Sequence, residues 1–402
     1  MPTGITLDSP KKIGFLDPNY IIECRDIAIN SSNNLVAIGG EFNSEPIAII
    51  DISDPRNPVE KYNISVNGFT RGLEFINDTT LAFGKEIQGL KIVTIGDSSA
   101  AEVSEFDSAD NNTLDLVSGL SNNLLYLVDD YKIVEAIDIS DINNPSLAWS
   151  YGNTGGSAPG YVKTGDLIQL SETDFVAALR ADWNEPIVRA NDQFEIFSIN
   201  DGSITTKSTQ TVVSDSNGDH GRRFKFAYSS SNKILVVASS VGINLYDISD
   251  VSNPVEKDSY YISTSDISLS SIDENILYVG NGEGLHHFDI SSAVISYKGS
   301  SNTTQPIVDF ALSSNGSYAF SVGQHNNGIE IFELQDLTDD GDAIFAISGT
   351  NSVGESLSIT ESTADPDGGT GTLSYVWQSS SDETTWIQIG TDSTYTLTSS
   401  EE

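Results

Sequence analysis

Apolar residues in this chain come in short bursts separated by polar clusters, without the 3.6-residue rhythm of a helix. Between residues 25 and 64 the text reads "RDIAIN", "LVAIGG", "IAIIDIS" and "VEKYNI", with "SSNN" and "DPRNP" among the breaks. Runs this short, rich in β-branched side chains and bounded by Asn, Gly, Ser and Pro, predict strands. Since no segment sustains a helical period, the pattern predicts an all-β chain nearly free of helix.

The same four-piece unit recurs. "IAIIDISDPRNPVEKY" (Ile47 to Tyr62) returns as "VEAIDISDINNPSLAW" (Val134 to Trp149) and "INLYDISDVSNPVEKD" (Ile243 to Asp258). Aligned on its first Asp, the copies fall at Asp51, Thr94, Asp138, Ser198, Asp247, Asp289 and Glu333, separated by 43, 44, 60, 49, 42 and 44 residues. That is the period of four-stranded propeller blades. Units are expected to start near Arg25, Phe69, Thr113, Tyr161, Gly221, Ser265 and Pro306. The last supplies only three strands and leaves Gly328 to Leu334 as a bare edge, which natural sheets avoid. "KKIGFLD" (Lys11 to Asp17), ahead of the first unit, fits the vacant place. The expected fold is a seven-bladed β-propeller over residues 1–335, closed by an N-terminal strand.

The repeated Asp-Ile-Ser-Asp has a structural explanation. Asp54, like Asp141 and Asp250, is placed to accept from backbone amides just past itself as an Asx-turn, and the Pro of Asn-Pro stops the third strand from running on. Metal ligands or catalytic acids would need to cluster, whereas these residues are expected to be spread around a ring.

Strand pairs such as "LVAIGG" with "IAIIDISDPRNPVEKY" resemble the LVIVD-repeat family of bacterial and archaeal surface or secreted proteins. The resemblance covers roughly residues 11–335, strongly in three copies. It implies a propeller and an exported location, and it carries over no single chemistry. Beyond an acidic linker, 336–343, the pattern changes: "IFAISGT", "SLSITES", "LSYVWQSSSDETTWIQI" and "TYTLTSS" alternate as strands, with Trp377 where an immunoglobulin-like sandwich buries one. Residues 344–402 resemble a partial Ig-like β-sandwich of the tandem kind in large bacterial surface proteins and adhesins, in which "ADPDG" is a calcium-associated loop. This implies further Ig-like repeats beyond residue 402, and export without a classical N-terminal signal peptide to the cell surface or extracellular space.

Charge changes the list of partners. With 19 Lys and Arg against 58 Asp and Glu, the formal net charge of −39 repels nucleic acid and anionic lipid and favours cations, Ca²⁺ among them. Asp365 and Asp367, on a stiff turn around a proline, are candidate oxygen ligands for calcium, with Asp339, Asp340 and Asp342 of the linker. An ordinary acidic turn and a solvated linker explain the same residues. The single cysteine, Cys24, excludes an intrachain disulfide framework and is expected to be an inert buried thiol. No apolar run approaches the roughly 18–20 residues of a membrane helix, so no membrane insertion through a helix is expected.

Three long insertions stretch the spacing in units four and five: Tyr151 to Gly165, Arg180 to Gln193 and Ser214 to Arg223. Within them, Arg180, Arg189, Arg222 and Arg223, with Lys225 nearby, hold a share of the scarce positive charge, beside Asp182, Trp183 and His220. Forked guanidinium groups and a stacking indole suit an acidic sugar, and the alternative is local balancing of Asp and Glu. In "GLHHFDI" strand alternation predicts that one of His286 and His287 points inward and the other outward. No G-x-S-x-G, H-E-x-x-H or phosphate-loop spacing occurs. Three functions stay open at this point: a non-catalytic module for adhesion, binding a glycan or protein ligand; a lyase or hydrolase of acidic polysaccharide; and a pure scaffold.

Overall fold

The computed structural model describes residues 5–18, 24–40, 47–66, 70–85, 89–107, 113–120, 123–129, 134–151, 166–179, 192–200, 203–212, 224–239, 241–323, 328–336, 344–363 and 374–400. The chain is all-β; a single 3-10 turn, Ser291–Ala293, is the one helical element among the described residues. It divides into two compact units, Asp8–Leu334 and Met1–Leu7 with Gln335–Glu402.

Seven four-stranded antiparallel sheets are built from the described residues. Sheets I to VI take their strands in chain order from residues 24–64, 70–106, 113–151, 167–212, 225–261 and 266–302. Sheet VII combines Ile307–Leu312, Tyr318–Gly323 and Ile329–Asp336 with Ile5–Leu16 from the other end of the chain. This arrangement is compatible with a propeller-like fold.

The N-terminal strand is longer than the Lys11 to Asp17 expected. Its upstream part is held beside sheet VI: the Asp8 carbonyl lies 3.2 Å from His287 Nδ1, and Gly299 passes so close to Ser9 that a Cβ there would sit 2.1 Å from the hydroxyl. Alongside Ile329–Asp336, Lys12 pairs with Glu330, while Lys11 and Arg56 reach Glu333 at 3.8 and 2.9 Å. Both glutamates are nearly buried, so these cations compensate carboxylates that water cannot.

Middle strands read as continuous apolar runs because both faces of each sheet are covered. In sheet I, Leu35, Ala37, Ile47 and Ile49 pack toward Leu73, Phe75, Leu81 and Phe83 of sheet II. The alternate residues Val36, Ile38, Ala48 and Ile50 pack toward Phe320, Val322, Ile329 and Ile331 of sheet VII. The two-residue period of a strand thus deals its side chains to two neighbours in turn. Equivalent clusters join II to III, III to IV, IV to V, V to VI and VI to VII. Double coverage also corrects the histidine expectation: His286 and His287 are both buried, since their strand has no outward face.

In the C-terminal unit, Ile344–Gly349, Ser356–Thr363 and Thr394–Thr396 form one sheet and Trp377–Ser379 with Ile387–Gly390 another. Trp377 is buried there against Tyr395, at 5.8 Å between ring centroids, and its indole N–H donates to the Asp392 carbonyl at 2.8 Å. Ile344, Ile347 and Trp386 remain exposed.

Candidate functional site

The clearest concentration of chemistry lies where the first strands of the seven sheets begin. Sheets I, III, IV, VI and VII each bring an aspartate to that place: Asp26, Asp115, Asp166, Asp266 and Asp309. Sheet V brings Lys225, and sheet II brings Gly72. The glycine is required: φ there is +67°, and a Cβ would stand 2.4 Å from the Leu116 amide nitrogen of sheet III.

Four of the carboxylates make one repeated hydrogen bond. Each accepts, through Oδ2, the backbone N–H one residue past the equivalent position in the next sheet. Asp26 takes Leu73 at 3.0 Å, Asp166 takes Phe226 at 2.8 Å, Asp266 takes Phe310 at 3.2 Å, and Asp309 takes Ile27 at 3.1 Å. The last of these runs from sheet VII to sheet I. A β-bulge at the start of the first strand in sheets I, II, III and VII frees the amides and turns the side chains toward their neighbours. The other oxygens are occupied as well: Asp115, Asp166 and Asp309 each accept from the following amide through Oδ1, at 2.8, 2.8 and 3.0 Å.

Lys225 is the cation of the cluster. Its Nζ lies 3.7 Å from Asp115 and 3.8 Å from Asp266. Burial alone would lower its pKa, but the carboxylates of Asp115, Asp266, Asp166 and Asp309 together lift it well above the usual lysine range. Burial, and then the Asp115 charge, push Asp26 up to about 7. Asp166 also rises to about 7, mainly through burial, with Lys225 opposing. Burial and the Asp26 charge raise Asp309 to about 8, and burial with Asp309 beside it holds Asp266 well above the carboxylate range. Glu74, two residues past Gly72, is raised by burial to about 7 although the Ser118 hydroxyl donates to it at 2.6 Å. The cluster therefore holds protons near neutrality.

At the ends of the third strands, aspartate does the opposite. Asp51, Asp138, Asp247 and Asp289 accept from the serine amide two residues on, at 2.9, 2.8, 3.0 and 2.8 Å. The expected Asx-turns are formed: Asp54, Asp141 and Asp250 accept from Arg56, Asn143 and Ser252 at 3.1, 3.0 and 3.0 Å. Hydrogen bonds from the serines hold Asp51, Asp138, Asp247 and Asp289 below the usual carboxylate range. Asp247 is held down to about 2 by Ser249 and by Lys257, whose ammonium lies 3.0 Å away.

Of the residues singled out in the sequence for ligand binding, Arg180, Asp182, Trp183, Arg189, His220, Arg222 and Arg223 all lie outside the described residues. So do the calcium candidates Asp339, Asp340, Asp342, Asp365 and Asp367. Lys225 is described, and it serves as a counter-ion to Asp115 and Asp266, the local balancing that the sequence left open. Among the described residues no group of three or more His, Cys, Asp or Glu side chains is arranged to hold a metal ion.

The inner aspartates went unnoticed in the sequence, yet a signal was there. "RDIAI", "LDLVS", "GDLIQL", "SDISL" and "VDFAL" each set an acid just ahead of the first apolar stretch of a unit. Aligning the units on their first strands, instead of their third, brings these acids into register. The chain matches no protein-family model, and no curated protein matches it.

Proposed function

We propose that residues 1–335 form a closed seven-bladed β-propeller of LVIVD type, and that the chain is a non-catalytic interaction module. On this proposal it holds a glycan or protein ligand at the end of the sheets where the first strands begin. The observation that carries it is the meeting of Asp26, Asp115, Asp166, Lys225, Asp266 and Asp309, drawn from six sheets, at one place. Apolar seams shared in order, VII with I included, support a common axis for the sheets.

The same end carries described residues that flank the insertions. Residues 152–165 lead directly into Asp166, and 213–223 lead into Phe224 and Lys225. Residues 180–191 join strands at the end of sheet IV where Leu179 pairs with Gln193, beyond the Leu167 and Ala177 pair that follows Asp166. The described residues that flank the segments carrying Arg180, Asp182, Trp183, Arg189, His220, Arg222 and Arg223 are Leu179 and Asp192, and Val212 and Phe224.

An enzymatic reading has one observation in its favour, the near-neutral carboxyls beside Lys225. Geometry weighs against it. Both oxygens of Asp166 and of Asp309 already accept backbone amides, so neither is aimed at a substrate. The C-terminal unit, as a partial Ig-like sandwich, and the −39 charge fit an extracellular or cell-surface setting in which Ca²⁺ stiffens the acidic stretches Asp339 to Asp342 and Asp365 to Asp367.

The test is a panel of neutral, acidic and amino glycans presented to the wild type, Trp183→Ala and Arg222→Ala over a range of salt. Binding without release of product is expected. Arg222→Ala should weaken it most at low salt, because screening removes a long-range charge. Trp183→Ala should weaken it at every salt concentration. Cleavage of any glycan, or equal binding by all three proteins, would overturn the proposal.

A further inference from the structure

The carboxyl groups of sheets VI, VII and I do more than cap amides. The Phe310 amide donates to Asp266 Oδ2 at 3.2 Å and to Asp309 Oδ1 at 3.0 Å, so these two carboxyls meet over one N–H, and Asp309 also accepts from Ile27, the residue next to Asp26. Carboxyls this close and partly withdrawn from water repel one another once all are ionised, so bound protons stabilise them. Asp309 stands on Ile307–Leu312, the first strand of the one sheet assembled from both ends of the chain.

We propose that Asp26, Asp266 and Asp309 form a proton-held clasp that fastens sheet VII between sheets VI and I, and that mild alkali loosens it. Three cross-sheet amide bonds converge on the clasp. Ile27 donates to Asp309, Phe310 donates to Asp266, and Leu73 donates to Asp26, so its geometry ties sheets VI, VII, I and II in succession. Among the described residues, Asp115 of sheet III and Lys225 of sheet V act on it directly, and Asp166 of sheet IV and Glu74 of sheet II belong to the same cluster through Asp115. Lys225 is the single cation among them, too few charges to neutralise the carboxylates once they are all ionised.

When the bound protons leave, three adjacent carboxylates repel one another at the seam where the chain's two ends meet. The consequence is local before it is global. The amides of Ile27, Leu73 and Phe310 should lose protection from exchange before those in the apolar seams between sheets III and IV do. The clasp needs only that the first strands of sheets I, VI and VII pack together, which they do, and it stands whether or not the module binds a glycan.

Thermal unfolding of the full chain between about pH 6 and pH 9, wild type against Asp309→Asn, tests the clasp. Asparagine cannot ionise; it keeps an acceptor for the Ile27 amide and gives up the one offered to Phe310, whose amide Asp266 still accepts. The wild type should lose about 5 °C over that range, and Asp309→Asn less than half as much. Parallel profiles for the two proteins overturn the proposal. Should the variant not fold, Asp266→Asn is compared with the wild type in the same way, and parallel profiles again overturn the proposal.

Discussion

Aspartate is used in two ways in this protein, and the two ends of the sheets show them side by side. At the turns after the third strands, Asp51, Asp138 and Asp247 accept backbone amides in the open and are held in the ionised form. At the start of the first strands, Asp26, Asp166 and Asp309 also accept backbone amides, at similar distances, yet are held protonated near neutral pH. The hydrogen bond is the same, so the difference comes from surroundings. Around the turns, water and nearby lysines stabilise charge; at the cluster, burial and like charges oppose it and Lys225 offsets only part. A hydrogen bond to an aspartate therefore does not by itself reveal its charge.

The comparison breaks most severely if sheet VII loses the strand that completes it. Removing residues 1–16 takes away Lys11 and Lys12, leaving the nearly buried Glu330 and Glu333 with less compensation and a sheet edge unpaired. Soluble yield should collapse, or the melting temperature fall by more than about 10 °C, in thermal denaturation of the truncated chain.

Lys225→Met strikes the cluster alone and should have the next largest effect. Its cost depends on pH, because the ammonium matters only when carboxylates around it are charged. Urea unfolding should show a loss of about 3 kcal/mol at pH 8 and a smaller one at pH 5. A uniform loss at both would mean that the lysine contributes packing instead of charge.

The two kinds of aspartate predict opposite limbs in a stability–pH profile. The folded cluster keeps protons that the unfolded chain has released, so its contribution is full below about pH 4 and is lost as pH rises through 7 to 8. Asp247 and Glu274, both held down to about 2, contribute stability that is present above about pH 4 and is lost as pH falls toward 2. Maximum stability on the acid side of neutrality is expected. Asp247→Asn should flatten only the acid limb of a melting-temperature profile, as Asp309→Asn flattens only the other. The smallest effect belongs to a single exposed turn: Asp250→Ala should cost about 0.5–1 kcal/mol in urea unfolding, since water partly replaces the lost acceptor for Ser252.

Much of the fold could be read from local pattern. "IAIIDISDPRNPVEKY" specifies a strand, an Asx-turn and a second strand through contacts a few residues apart, and Ile47–Asp51 and Val59–Ile64 pair accordingly. The strand around Lys11 to Leu16 was legible too, because a three-stranded unit at one end and a spare strand at the other leave one economical match. Trp377 was recognisable as a core residue by its type and place.

What the chain determined by itself is thus everything that depends on neighbours in sequence: strand periodicity, turn chemistry and the repeat. The proton-holding cluster is different, since Asp26 and Asp309 are 283 positions apart and have no local reason to interact. Only the stacking of sheets VI, VII and I brings their carboxyls together, and only the burial that follows from it raises their pKa. The same holds for Lys225, which reads in sequence as one more cation beside an arginine-rich insertion and becomes the counter-ion of a carboxylate cluster because aspartates from four other sheets act on it. Charge state is a property of the three-dimensional environment, and that environment is assembled last.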